Sequence, residues 1–445
     1  MTNRCVTTMG RTILVGMTCV AVMLAAGCAK PSATQVAEGM VDSMAKGDFA
    51  SATKHFDAAC KAALPAEGLG PVWSQFTAQA GAFKSRTGSR EAQEAGYQMV
   101  YVTCRFEKTT MDIKVVFDKD GKVAGLGFVP HVSAADAQYS PPAYADKDRF
   151  DEREVTVGTG EWQLPGTLTM PKGEGPFPAV VLVHGSGPND RDETIGPNKP
   201  FKDIAWGLAS RGIAVLRYDK RSKVHGPKMA KMANMGKMDN FTVKEEVIDD
   251  ALAAVKVLRG SARIDPKRIF VLGHSNGGLL SPRIGKADPN IAGLIMMAGC
   301  ITQPVEKCLL RQATYIASLA GPITDDTKKE IDKQVQSLMK LAPASYTLDL
   351  GDYIRSAPEM AKSLKQPMLI LQGARDYQAI EADFNIWKDV LSSRTNVTFK
   401  LYPDLNHLFM TGTGKATPSE YAMPGSVVQT AIDDIASWIG AHKAK

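Results

Sequence analysis

The sequence predicts a mostly parallel α/β domain preceded by a small α+β domain, and three observations carry that prediction. From about Arg153 onward, short apolar runs alternate with amphipathic stretches, the texture of a parallel sheet covered by helices on both faces. Within that stretch, Gly273-His274-Ser275-Asn276-Gly277 stands between an apolar run and a helix-forming one. Ahead of it, the segment from about 33 to 130 passes from helical spacing to strict alternation, so helices come first there and antiparallel strands second. The 445 residues, 44% hydrophobic and 22% charged, suffice for a large core and exclude a disordered or fibrous chain. A net charge of +6 is too slight for a phosphate-binding footprint, which excludes nucleic acid as a partner.

Residues 1–27 read as an export signal. Arg4 and Arg11 precede an uncharged apolar run from Thr12 to Gly27, too short to span a bilayer comfortably. The run ends in Leu24-Ala25-Ala26-Gly27-Cys28, which resembles the lipobox of bacterial lipoproteins. That resemblance implies an acylated Cys28, a membrane tether and a place in the cell envelope. Export also changes the reading of Cys60, Cys104, Cys300 and Cys308, because thiols outside the cytoplasm tend to pair. Their positions along the chain favour bridges from 60 to 104 and from 300 to 308, with reduced buried thiols as the alternative.

In the small domain, 33–130, apolar residues at Val36, Met40, Val41 and Met44 predict a helix that Gly47-Asp48 breaks and recaps. A second helix carries Phe49, Ala52 and Phe56, and a third spans Val72 to Ala82. Two strands then follow, one through Val100, Val102, Cys104 and Phe106 and one through Met111, Ile113, Val115 and Phe117, with Asp120-Gly121 as a hairpin turn. His55 and His131 belong to no cluster with metal-ligand spacing and are read as surface or packing residues. Residues 131–150, with Pro141-Pro142 at the centre and no apolar period, read as a linker.

The catalytic domain is placed at 151–445. Its strands are expected at Ala179 to Val183, Ala214 to Tyr218, Ile269 to Leu272, Gly293 to Met297, Met368 to Leu371 and Val397 to Leu401. Helices fall between them at Lys202 to Ser210, Val243 to Arg259, Gly277 to Gly285, Ala379 to Leu391 and Val427 to Ile439. An excursion of helix-forming sequence at about 300–364 suits a lid.

Ser275 sits where a nucleophile elbow would hold it, its hydroxyl raised above the sheet, with glycines two residues to either side so that strand and helix can approach. A serine hydroxyl needs a base, and in this arrangement the chain order is Ser, acid, His. Of the two histidines after Ser275, His407 follows the last expected strand, whereas His442 lies on the C-terminal tail. Asp376 follows the strand Met368 to Leu371 and is the expected acid, ahead of Asp383, Asp404, Asp349 and Asp352. The tetrahedral intermediate needs two backbone donors, assigned to Asn276 and to Ser186, with Gly187 next after Ser186. His184 is expected to brace the Ser186 loop.

With these residues, about 150–442 is similar to α/β-hydrolase serine carboxylesterases of bacteria. The run His184 to Asp190 and the segment Arg217-Tyr218-Asp219-Lys220-Arg221 look like that group's signature. The small domain resembles one of unassigned function that precedes such cores. The resemblance implies an α/β-hydrolase fold with a helical lid, and hydrolysis of a small-molecule ester without metal or organic cofactor. Asp219 and Arg221 are expected to brace loops around the site. A serine peptidase on the same fold and a non-catalytic envelope binding protein are the alternatives. The lid's Ile316, Leu319, Ile331, Val335, Leu338 and Leu341, with the methionines at 229, 232, 235 and 238, are expected to wall a pocket for short or medium acyl chains, an ordinary packed flank of the core being the alternative for the methionines.

Overall fold

The structure, a computed structural model, describes residues 31–94, 97–131, 138–340 and 343–442. The expected export signal and Cys28 lie outside the described residues. The chain divides into two compact units, 1–128 and 129–445.

The first unit opens with α1 (Ala33–Ala45), α2 (Phe49–Ala52), α3 (Ala58–Ala63) and α4 (Ala66–Ala80). Ser32 starts α1 with a capping box, its side chain accepting from Gln35 N–H while the Gln35 side chain accepts from Ser32 N–H. Asp48 caps α2 by accepting from Ser51 N–H at 3.1 Å. Four strands follow in antiparallel order, β1 (Phe83–Glu94), β2 (Tyr97–Phe106), β3 (Thr110–Phe117) and β4 (Val123–Pro130). Helix α1 lies against β1, β2 and β3 and buries Val36, Met40, Val41 and Met44 against Val100, Val102 and Ile113. Each such side chain contributes roughly 1.5–3 kcal/mol.

That packing overturns the bridge expected between Cys60 and Cys104, both of which are free and buried. Cys104 faces the helical side of β2, but the helix against that side is α1, whereas Cys60 is on α3. Burial pushes the Cys104 thiol up to about 12, so it stays protonated. Strand β1 was not anticipated, since Lys84-Ser85-Arg86-Thr87-Gly88-Ser89 has no apolar alternation and its pairing with β2 is made by backbone.

The second unit is built on β5 (Phe150–Val157), β6 (Leu164–Pro171), β7 (Phe177–Val183), α5 (Pro200–Ala209), β8 (Ala214–Tyr218) and α6 (Arg221–Asn234). A π-helical turn, Lys244–Ile248, leads into α7 (Asp249–Arg259), followed by β9 (Ile264–His274), α8 (Asn276–Ala287) and β10 (Gly293–Met297). The excursion holds α9 (Val305–Ala320), α10 (Asp325–Met339) and α11 (Ala344–Ser363), after which come β11 (Met368–Gly373), α12 (Glu381–Val390), β12 (Val397–Tyr402) and α13 (Gln429–Ala441). The described strands form one sheet in the order β12-β11-β10-β9-β7-β8-β6-β5, parallel from β12 to β8 and antiparallel through β6 and β5.

The inner strands read as unbroken apolar runs because both faces are covered. Val181, Val183 and Val271 point into the core shared with α7, α8 and α11, while Val180, Leu182, Phe270 and Leu272 point to the side of α5 and α13. Strand order reverses at β7, which neighbours β8 on one side and β9 on the other, and ligands in such sheets bind beyond the carboxyl ends of the strands at that point.

Three expectations are corrected. The stretch 131–150 is not all linker, since Tyr139 donates its phenol to Asp203 at 2.8 Å, Tyr144 donates to Val427 C=O at 2.6 Å, and both rings pack on the α5 side of the core. Two aromatic side chains suffice to dock a segment without any apolar period. Of the methionines after Arg221, Met229 and Met232 lie on the helix α6 and Met235 and Met238 beyond its end, and Met232 and Met238 line a separate surface cavity beside Trp162. Finally, α11 buries Tyr353, Ile354, Ala357 and Ala361 in the main core, so the C-terminal part of the lid is scaffold.

Candidate active site

The turn from β9 into α8 is as sharp as the pentapeptide requires. Ser275 has φ 53° and ψ −118°, a left-handed conformation costing of order 1–3 kcal/mol in a non-glycine residue. Backbone bonds hold it, Ser275 N–H donating to Met297 C=O and Leu279 N–H donating to Ser275 C=O, each at 2.9 Å. The flanking glycines are needed for space. A Cβ on Gly273 would lie 2.1 Å from the Gly277 carbonyl oxygen, and one on Gly277 would lie 2.3 Å from that of Val183.

At the end of β11, Asp376 is buried and takes four donors. Its Oδ2 lies 2.7 Å from His407 Nδ1 and accepts from Gln372 Nε2 at 3.2 Å, while Oδ1 accepts from the N–H groups of Gln378 at 2.7 Å and Ala379 at 3.1 Å. Three of the four rival acids are engaged elsewhere. Asp383 bonds Thr302 and Arg311, Asp349 bonds Arg283, and Asp352 bonds Arg355. His407 follows β12, and Asn406 shapes its turn by accepting from Leu408 N–H and Met410 N–H, both at 3.1 Å.

Ser275, Asn276, His407, Gly185 and Ser186 line one cavity of about 250 Å³. The loop after β7 that carries Ser186 is held through both backbone polar groups of one residue. Gly185 N–H donates to Glu193 Oε1 at 2.7 Å, and Gly185 C=O accepts from Lys220 Nζ at 2.9 Å and Asn189 Nδ2 at 3.2 Å. His184 braces this loop from below, buried with Phe201 and Tyr218 each 5.2 Å away, and burial lowers it to about 4, so it is uncharged near neutral pH. Asp219 also braces the loop, accepting from Arg191 N–H at 2.8 Å and from its guanidinium. Arg221 does not, since it pairs with Asp250 at 3.0 Å and so fastens α6 to α7.

The apolar wall differs from the one expected. Ile301 ahead of α9, Val305 and Leu309 at its start, and Leu350 and Ile354 of α11 line the cavity, whereas Ile316 and Leu338 are exposed. Cys308 of α9 faces the same cavity and Cys300 lies in the core, so both are free and the expected bridge between them is absent. The helix turns Cys308 toward the cleft, and its Sγ contacts the Gln303 carbonyl oxygen at 3.3 Å.

Sequence reasoning missed Glu193 and His274. Both are buried, with His274 Nδ1 2.7 Å from Glu193 Oε2. The only signal was indirect, a dense run of charge at Asp190-Arg191-Asp192-Glu193 beside a glycine loop, and a histidine inside the elbow itself. Among the described residues no group of three or more His, Cys, Asp or Glu stands together as a metal site would need.

The chain matches known proteins in both units. A family described as serine aminopeptidase, S33, covers residues 176–413, and a family described only as a protein of unknown function covers 37–126. Esterase EstD of Thermotoga maritima is 41% identical over 408 residues, 90% of this chain and 93% of its own length. Among solved structures, a Pyrococcus furiosus esterase superposes with a TM-score of 0.42 at 16% identity, covering 68% of this chain and 98% of its own. An acylaminoacyl peptidase of Pyrococcus horikoshii superposes with a TM-score of 0.46 at 16% identity, covering 80% of this chain and 56% of its own.

Proposed function

The chain belongs to the serine aminopeptidase S33 family of α/β-hydrolases, and on that premise we propose that this serine ester hydrolase acts through Ser275, His407 and Asp376 on neutral esters with short or medium acyl chains. The observation that carries the reading is the Asp376–His407 pair at 2.7 Å, opening into the cavity that holds Ser275 on its strained turn. His407 takes the Ser275 proton as Oγ attacks the ester carbonyl carbon. The N–H groups of Ser186 and Asn276 receive the negative charge on the carbonyl oxygen. Collapse expels the alcohol, which takes its proton from His407. Water, deprotonated in turn by His407, then releases the acid and regenerates Ser275.

Neutral substrates are favoured by the lining. Its acid, Glu193, is taken up by His274 and Gly185, so no free carboxylate is offered to a peptide's amino terminus among the described lining residues. The apolar side chains of α9 and α11 suit an acyl or alkyl chain, and each methylene buried there is worth about 0.8 kcal/mol, a factor of about four in kcat/KM. Efficiency on nitrophenyl esters should therefore climb over the first few carbons and fall once the chain outgrows the cavity. Activity that kept rising to long chains, with a jump at an oil–water interface, would point to a lipase. Negligible ester turnover beside fast cleavage of aminoacyl anilides would select a peptidase.

We propose also that Cys28 is acylated and tethers the enzyme in the cell envelope, on the strength of Arg4, Arg11, the apolar run and Leu24-Ala25-Ala26-Gly27-Cys28. Stable anchoring takes more than one acyl chain, which this modification supplies. Cys28→Ala should move the protein from the membrane pellet to the soluble fraction. Equal retention in the pellet would overturn the tether.

A further inference from the structure

A second histidine–carboxylate pair stands beside the first. His274 places Nδ1 2.7 Å from Glu193 Oε2 and Nε2 3.0 Å from the backbone carbonyl oxygen of His407. The Nδ1 contact is close but makes no aligned hydrogen bond, so Glu193 and His274 meet as an ion pair, while Nε2 faces a carbonyl, which only accepts, and therefore carries a proton. Burial alone would discharge the ring, but Glu193 outweighs burial and holds the His274 pKa above its ordinary value. Glu193 in turn is held below the usual carboxylate range, because His274 outweighs the burial that would raise it.

The remaining oxygen of Glu193 accepts from Gly185 N–H at 2.7 Å. A chain of polar contacts thus runs from Gly185, next to the expected oxyanion donor Ser186, through Glu193 and His274 to the backbone of His407. It joins the loop after β7, the end of β9 and the loop after β12. Glu193 has φ 53°, a left-handed conformation held where its side chain must meet two partners. The His274 and His407 rings are 4.7 Å apart at 50°.

We propose that Glu193 and His274 form a charged positioning pair, which keeps the oxyanion loop in register with the histidine loop that carries the base. This rests on the reading that Ser275 and His407 perform the chemistry. The groups facing the pair leave its charges in place. His184 is uncharged, Lys220 is spent on the Gly185 carbonyl and on Glu246, Asp376 bonds His407 from the far side, and α5 presents the Phe201 ring to His274.

The test is steady-state kinetics, with melting temperature, on full-length Glu193→Gln and on Glu193→Gln with His274→Gln. The glutamine at 193 keeps an acceptor for Gly185, and the double variant leaves no unpaired buried charge. The expected result is a kcat loss of about 10- to 100-fold with KM within about threefold, the scale of a displaced oxyanion donor. The double variant should lose no more than the single one, because the two residues act as a unit. Wild-type kcat within twofold in both variants would overturn the proposal, as would a kcat loss that merely followed the melting temperature. Ser275→Ala, assayed alongside, keeps the two readings apart, because its full activity would remove the triad whatever the pair does.

Discussion

Ser275→Ala is expected to lower kcat on a nitrophenyl ester by about four to six orders of magnitude while leaving the fold intact. The fold should survive because the turn is held through backbone atoms, Ser275 N–H on Met297 C=O and Leu279 N–H on Ser275 C=O at 2.9 Å each, and alanine keeps both. The hydroxyl adds nothing to the packing of β9 on α8, which is set by the approach of Gly273 to the Gly277 carbonyl. What disappears is the bond to the acyl group, and with it the acyl-enzyme. Residual turnover then reflects only the oxyanion donors and substrate positioning. The check is kcat beside the melting temperature, with organophosphonate labelling of wild type and variant. Retention of more than a tenth of the wild-type activity in folded protein would remove Ser275 as the nucleophile.

Asp376→Asn is expected to cost about four orders of magnitude in kcat, for a reason that hydrogen-bond directions alone supply. Oδ1 of Asp376 accepts from two backbone N–H groups, those of Gln378 at 2.7 Å and Ala379 at 3.1 Å, so an asparagine must keep its carbonyl oxygen there. Its NH₂ then takes the place of Oδ2, 2.7 Å from His407 Nδ1. A donor facing Nδ1 forces that nitrogen to accept, which moves the ring proton to Nε2, the atom that must be free to receive the Ser275 proton. The same NH₂ opposes Gln372 Nε2, itself a donor at 3.2 Å, so a small loss of stability should accompany the loss of rate. Asp376→Asn with kcat within tenfold of wild type, at unchanged melting temperature, would show that another group orients His407.

Much of the architecture was legible because its signals are local. Gly293 to Met297 is a strand with the ends read from its apolar run, since a strand buried on both faces has little polar interruption to blur it, and Ala214 to Tyr218 keeps its expected ends although Arg217 interrupts it. Triad order and turn chemistry singled out Ser275, Asp376 and His407, and the structure sets Asp376 against His407 and lines one cavity with Ser275 and His407. The misses share a cause as well. Strands β1 and β5 are polar along most of their length, with Asp151-Glu152-Arg153-Glu154 in β5, and they are strands because a neighbour accepts their backbone. Helix α6 carries Gly226 and Pro227 within it, which read as a break.

By itself, then, the sequence determined the succession of the six parallel strands and marked the sharp turn at Ser275, because periodicity, glycine spacing and turn residues act over a few positions. Tertiary structure alone decided which polar groups meet. Cys60 and Cys104 stay apart because α1, not α3, covers β2, and Cys308 turns to the cleft instead of to Cys300. Glu193 reaches both Gly185 and His274, and His274 reaches the backbone of a residue 133 positions away, because β7 and β9 are neighbours in the sheet and the loop after β12 closes over their ends. A hydrogen bond forms within about 3 Å, and only the order of strands in the sheet brings segments so far apart in the chain to that distance.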